Sequence, residues 1–384
     1  KVAYDEKRQG DEQQTAILHP GDKQHQRQRK QGHHPCIDGN QHAGPRLETS
    51  TSRDADAGFN ARKGIDMTES RKLYVGLDVG GTSVKVSLFL QDGTLVGKGS
   101  VPTPPIVDEA GYNAVTNGIG QVLAEADATT AEVLGIGLAI PCPVPADGII
   151  RMQANIQIDA PGLEAALHAF CPQAAVKFVN DANAAAMGEL WTGAAKGRTS
   201  LVFVTIGTGV GGGVVIDGKV VAGAFGAGGE IGHLCMNPSE ERACGCGGKG
   251  HLEQYASATG VVSNYLAECE ARGVEPIELT GPSDSKDVFQ ACREGDEVAL
   301  AAMRTMADYL GRALSLIANV VDPELFLLGG GASASADVYL ETLVERYRAY
   351  AINVNADTPI EVASLGNDAG IYGAAYVALQ AAEA

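Results

Sequence analysis

The sequence predicts an α/β protein of two similarly built lobes facing each other, and three observations carry that expectation. A strand–turn–strand–turn–strand pattern occurs twice. Apolar strand-like runs alternate with helix-like stretches around both copies. The length, 384 residues, suits two lobes with sizeable cores better than one.

The first copy begins with residues 73–79 and 84–90, which run apolar or alternate like partly buried strands. They flank Gly80-Gly81-Thr82-Ser83, and Asp92-Gly93 then turns the chain into a short strand at 94–96. The second copy has a strand at 201–206, the turn Gly207-Thr208-Gly209, a glycine run to Gly213 and a strand at 214–216. Asp217-Gly218 and a strand at 219–221 complete it. Residues 175–179 read as a buried strand, followed by an alanine-rich helix at 182–191. A stripe formed by Val298, Ala301, Met303, Met306, Leu310, Leu314 and Ile317 predicts a helix over 298–317. Asp322-Pro323 stops it, and 324–328 forms a buried strand ending in Gly329-Gly330-Gly331.

Residues 1–66 differ from all of this. They hold five of the eight histidines, and their apolar residues are isolated, so no periodicity develops and the segment is expected to be disordered. Met67 precedes the first strand, so translation is expected to start there and 1–66 to be upstream sequence or a tag. The formal charge is −18, and 11 basic against 10 acidic residues in 1–66 leave −19 on the rest. That balance argues against a broad nucleic-acid surface. No apolar run nears the roughly 20 residues that span a bilayer, and no signal peptide opens the chain; a cytoplasmic protein is expected. The eight cysteines are too scattered for a disulfide framework, and their one tight cluster points to metal.

Three groups of residues carry chemistry. Gly80, Gly81 and Thr82, opposed by Gly207, Thr208 and Gly209, suit a polyanion: glycines let backbone amides approach it and threonines add hydroxyls. Asp78, ending the preceding strand, is placed to orient a magnesium-bound water, and Gly329 and Gly330 suit close passage past an adenosine. Neither a P-loop nor a dinucleotide fingerprint is present. Asn180-Asp181 stands where a strand meets a helix, a frequent ligand position in open α/β sheets. Asp181 could accept a hydroxyl proton there, although both residues are also favoured helix caps. His233, Cys244, Cys246 and His251 make a Cys2His2 set of the kind that holds structural zinc, with Cys235 near enough to compete. The alternative is buried free thiols beside ordinary histidines.

Asp78-Val79-Gly80-Gly81-Thr82, Asn180-Asp181-Ala182-Asn183, 207–213, Gly229-Glu230-Ile231-Gly232-His233, Cys244-Gly245-Cys246-Gly247 and Gly366-Asn367-Asp368-Ala369-Gly370 resemble, in this order, the ROK (repressor, open reading frame, kinase) family. The resemblance covers 71–384 and is nearest to the family's glucokinases. It implies an actin-like, ribonuclease H-like fold: a small lobe of 71–180 plus 366–384, and a large lobe of 181–365 with a zinc-binding loop. It further implies ATP, Mg2+ and structural Zn2+, a hexose phosphorylated at its 6-hydroxyl, glucose first, and a homodimer joined through the large lobe. Asp181 would be the general base. Asn155, Asn180, Glu230, His233 and Glu253 would bind sugar hydroxyls, His233 also ligating zinc. Three positions depart from the family's pattern. His251 replaces a cysteine, Cys142 a glycine, and Ala154-Asn155-Ile156 a Pro-Asn-Leu motif. The last two bear on the sugar, leaving N-acetylhexosamines, mannose, fructose and allose as alternatives. The family's repressors carry a helix-turn-helix before the body, and 1–66 lacks its spacing.

Overall fold

The computed structural model describes residues 71–150, 156–281 and 285–384. The first strand pattern forms β1 (Leu73–Val79), β2 (Ser83–Leu90) and β3 (Leu95–Pro102), an antiparallel meander. Asp92-Gly93 turns the chain between β2 and β3, with Asp92 Oδ1 accepting the Thr94 N–H at 2.9 Å. β3 continues well past the expected 94–96. As an edge strand it keeps one face in water, and Gly97 and Gly99 leave room for Val122 to pack on it. α1 (Glu109–Glu125), capped by the Asp108 side chain, leads to β4 (Val133–Ile140), and α2 (Ala160–Phe170) leads to β5 (Ala175–Asn180). β4 pairs parallel with β1, and β5 with β4, giving the order β3-β2-β1-β4-β5.

α3 (Asp181–Trp191) then leads to the second sheet. β6 (Leu201–Ile206), β7 (Val210–Ile216) and β8 (Lys219–Val220) form another antiparallel meander. β7 begins four residues before the expected 214, because the backbone ladder with β6 runs straight through Gly211, Gly212 and Gly213. A long excursion follows: α4 (Glu253–Ala256), α5 (Ala258–Arg272), α6 (Lys286–Arg293) and α7 (Glu297–Val321). The Asp296 side chain caps α7 through the Val298 and Ala299 N–H groups, and Asp322, at φ 48°, ends it before Pro323. β9 (Phe326–Gly329), α8 (Ala336–Tyr350), β10 (Ile360–Val362) and α9 (Ala369–Ala382) close the chain. The second sheet reads β10-β9-β6-β7-β8, with β9 parallel to β6 and β10 parallel to β9.

Counted from its own first strand, each sheet has the order 3-2-1-4-5, so the repeat in sequence is a repeat in topology. This is the two-lobe, actin-like α/β architecture implied by the resemblance. Two helices join the halves. α9 rests on β1, β4 and β5, while α3 packs on α9 and on β6 and β7. The helices approach closely because a Cβ on Gly373 would collide with the Ala184 carbonyl. Glu189, wholly buried near the end of α3, accepts the Ala194 N–H, the Ser364 hydroxyl and the Leu365 N–H at 2.7–3.0 Å. Three donors offset the cost of burying that carboxylate and tie α3 to the segment entering α9. Among the described residues no helix is long and apolar enough to cross a membrane.

Candidate functional site

The two glycine-rich turns occupy equivalent places, each at the tip of a β-hairpin. In the first, the Gly80 N–H donates to Ser83 O at 3.0 Å, and Thr103, just beyond β3, donates its hydroxyl to Gly80 O at 2.6 Å and its N–H to Thr82 O at 3.1 Å. Gly81 and Thr82 remain exposed. In the second, the Gly207 N–H donates to Gly209 O at 3.0 Å. The first residues of α5 hold it from below, Ala258 N–H to Gly207 O at 2.8 Å and the Thr259 hydroxyl to Thr208 O at 3.1 Å.

Asn180 and Asp181 join β5 to α3. The Asn180 side-chain oxygen accepts the Ala182 and Asn183 N–H groups at 3.0 and 3.2 Å, so the helix-cap reading holds for Asn180. Its amide nitrogen points to Cys142 O at a loose 3.4 Å. Asp181 accepts the Ala182 N–H at 2.8 Å and is otherwise free to face the cleft. Its surface is open, but protein crowds it on most sides, and that desolvation is the largest influence pushing its pKa up. The Ala182 N–H opposes the rise, while the charges of Asp78 and Glu230 add to it. Cys142 is buried close enough to feel Asp181; burial first, then that charge, pushes its thiol up to about 11.

A cavity of about 330 Å³ gathers Asn180, Asp181, Gly207, Gly209, Glu230 and Glu253. A neighbouring cavity of about 670 Å³ shares Gly209 and Glu253 with it and adds Thr208, Arg242 and the first turn of α5. Among the described residues that line these two cavities, Asp78 and the Gly80–Thr82 turn are not included, although the field of Asp78 reaches Asp181. Gly329 and Gly330 also lie outside both; they pack against Phe203 and the Ile206 backbone at the end of β9. Asn155 falls outside the described residues. A larger cavity, about 720 Å³, lies beside β5, and among the described residues none of the motif residues lines it.

His233, Cys244, Cys246 and His251 converge, with one ligand atom from each lying within 4.8 Å of all the others. Cys246 Sγ is 3.4 Å from Cys244 Sγ and 3.3 Å from His251 Nδ1, and Cys244 Sγ is 3.8 Å from His233 Nδ1. Tetrahedral zinc with ordinary Zn–S and Zn–N bonds has edges of about 3.3–3.8 Å, so the donor set fits in both type and spacing. Cys235 is not in the cluster; it pairs by backbone with His251. The cluster touches the acids of the cavity twice. His233 Nε2 lies 3.9 Å from Glu230 Oε2, and Cys244 Sγ lies 2.7 Å from Glu253 Oε1.

Two features escape sequence reasoning. The first is a strut behind the metal loop: Tyr255 donates its hydroxyl to Glu240 at 2.7 Å, Arg242 donates to the same carboxylate at 2.6 Å, and Tyr255 stacks on Tyr309 of α7 at 3.9 Å. The Arg242 guanidinium is the main influence holding the Glu240 carboxyl down to about 2. No spacing signals it, because α7 is over fifty residues away in sequence. The second is Lys85, whose ammonium lies 2.9 Å from Asp78 Oδ2. A signal was available here, since a hairpin across 80–83 places residue 85 opposite residue 78.

The family model described as "ROK family" matches residues 74–381. A glucokinase of Halalkalibacterium halodurans is 35% identical over 320 residues, 81% of this chain and 96% of that one. A ROK hexokinase of Thermus thermophilus superposes with a TM-score of 0.68 at 34% identity, covering 81% of this chain and 99% of the other. A ROK family glucokinase of Streptomyces griseus, solved with glucose and AMPPNP, has a TM-score of 0.63 at 29% identity, covering 80% and 99%.

Proposed function

The chain belongs to the ROK family, and from that premise we propose that it is an ATP-dependent sugar kinase acting on the 6-hydroxyl of a hexose, glucose first. The observation that carries this reading is the 330 Å³ cavity, where the Asp181 carboxylate shares one space with a phosphate-type turn and two further acids. The similarity to a glucokinase and to a structure holding glucose with AMPPNP supports both substrates.

In this mechanism Asp181 takes the proton of the sugar 6-hydroxyl as its oxygen bonds to the γ-phosphorus and the bond to the β-phosphate oxygen breaks, releasing ADP. A raised pKa suits the role, because a base that accepts a proton should not hold its charge too cheaply. Asn155, Asn180, Glu230, His233 and Glu253 bind the ring hydroxyls. Gly80, Gly81, Thr82, Gly207, Thr208 and Gly209 would cradle the phosphates, Asp78 would orient a water of the magnesium ion, and Gly329 and Gly330 would pass the adenosine. Magnesium, when bound, neutralises charge on the donor. His233, Cys244, Cys246 and His251 would hold a structural zinc, with no open position for chemistry. The lobes divide as 71–180 plus 366–384 and 181–365, a division supported by the packing of α9 on β1 and β4. We place the enzyme in the cytoplasm as a homodimer without a nucleic-acid partner.

Kinases for N-acetylhexosamines, mannose, fructose or allose are the second reading, favoured by Cys142, which is buried beside Asp181 and bonded through its carbonyl to Asn180. A coupled assay with ATP, magnesium and a panel of hexoses tests both. Turnover highest on glucose supports the first; another preferred hexose supports the second. No turnover on any hexose, or specific binding to DNA in a mobility shift, would defeat the kinase reading.

A further inference from the structure

Lys85 belongs to none of the motifs, yet it grips the phosphate side of the cleft from two directions. It stands on β2 opposite Asp78 of β1, and its ammonium lies 2.9 Å from Asp78 Oδ2 and 2.8 Å from Asn367 O. α9 closes a third side. A Cβ on Gly370 would lie 3.3 Å from Asp78 Cγ, so glycine at this position lets α9 approach the carboxylate. One strand further out, Lys98 of β3 holds Asp368 at 2.6 and 2.7 Å. Two lysines from neighbouring strands thus fasten the same end of α9, and one of them also fastens a carboxylate of the cleft.

We propose that Lys85 is a positioning residue for the phosphoryl donor: it holds the Asp78 carboxylate aimed beside the Gly80–Thr82 turn, and it presents positive charge to the donor's phosphates. The inference rests on the kinase reading of this cleft. An ammonium has three N–H donors, and Asp78 and Asn367 accept two, leaving one for a phosphate oxygen. The side chain is 32% exposed and Asp78 22%, enough for a ligand to reach both while the pair stays partly shielded from solvent. Without Lys85, Asp78 would keep its negative charge next to an incoming polyanion with nothing to offset it. A lysine that served only to pin α9 would need the Asn367 contact alone, which Lys98 already duplicates through Asp368.

The test compares Lys85→Met, Lys85→Arg and Lys98→Met in the full chain. Calorimetry reads the affinity for Mg·ADP, and steady-state assays read KM for Mg·ATP and for sugar. K85M should weaken Mg·ADP binding and raise the Mg·ATP KM by roughly ten- to a hundredfold, the scale of one charge-assisted hydrogen bond. The sugar KM should stay within about twofold. K85R should recover most of the donor affinity, and K98M should leave it near that of the parent. Unchanged Mg·ADP affinity in K85M, or an equal loss in K98M, would overturn the proposal. If K85M does not fold, Lys85→Gln, a shorter side chain that keeps an N–H donor but removes the charge, gives the same reading. Failure of the kinase reading is separable, because it appears as a parent protein that turns over no hexose whatever the Lys85 variants do to Mg·ADP binding.

Discussion

The two glycine-rich turns occupy the same place in sheets of the same strand order, but they are held by different means. The first is held within its own hairpin and by Thr103 just beyond β3. The second is held from outside its sheet, by the start of α5, and the chain between them passes through the metal loop and α4. Duplication therefore supplies the scaffold, and insertion makes the halves unequal. The second half gains Glu230, Glu253 and the Cys/His cluster, while the first contributes Asp78 and Lys85. Acceptor recognition should then depend mainly on the second half and donor binding on both.

The largest expected effect lies at Asp181, where the halves meet. Asp181→Asn should lower kcat by about 10²–10⁴-fold, the usual range for removing a general base, while sugar affinity by calorimetry changes little. A near-normal rate in D181N would mean that another group takes the proton. The next effect tests the asymmetry itself. Metal analysis should find about one zinc per chain. Cys246→Ser should lose it and raise the sugar KM by about 10–100-fold, because the cluster touches both Glu230 and Glu253. The Mg·ATP KM should move much less. Equal effects on both substrates would erase the division of labour between the halves.

Much of this was legible in the sequence because it is local. The strand runs, both turns, the Cys2His2 spacing and the Asn180-Asp181 junction each lie within one short stretch of chain, and the repeat announces two halves built alike. What stayed hidden depends on approach between distant segments. Glu189 meets Ser364 and Leu365, and Tyr255 meets Tyr309, with no pattern to announce either. Asn180 shows the limit differently. An asparagine at a helix start suits a cap and a ligand site alike, and in the fold its oxygen is committed to two backbone N–H groups. β3 outruns its sequence signal for a third reason: Gly97 and Gly99 carry no side chains to mark a strand.

A smaller effect concerns pH. Desolvation first, then the charges of Asp78 and Glu230, holds Asp181 above the usual carboxylate range against the pull of the Ala182 N–H. The acid limb of kcat/KM should therefore lie at higher pH than for a free aspartate, activity rising as Asp181 loses its proton. The stability consequence has a definite sign. A folded pKa above the unfolded one favours the protonated form, so that contribution is complete below the unfolded pKa and is lost as pH rises through the folded one. D181N should then melt no lower than the parent at pH 7 and lose any advantage in acid. A D181N protein less stable at pH 7 would show that the aspartate helps the fold more than its desolvation costs.

The smallest effect sharpens the comparison of the two turns directly. Each turn has one threonine hydroxyl donating to a carbonyl, Thr103 to Gly80 and Thr259 to Thr208. Valine at either position keeps the shape and removes the hydrogen bond, at a cost of about 1 kcal/mol and a few degrees in Tm. The functional results should differ. T103V leaves the first turn with only backbone contacts, those of its own hairpin and the N–H of residue 103 to Thr82 O, and should raise the Mg·ATP KM severalfold. T259V leaves the Ala258 N–H to Gly207 O bond and the rest of α5 in place, so the second turn keeps its position and the Mg·ATP KM should stay near that of the parent. If T259V is the more damaging of the two, the helix-held turn is the looser one, and the assignment of rigidity to the second half is reversed.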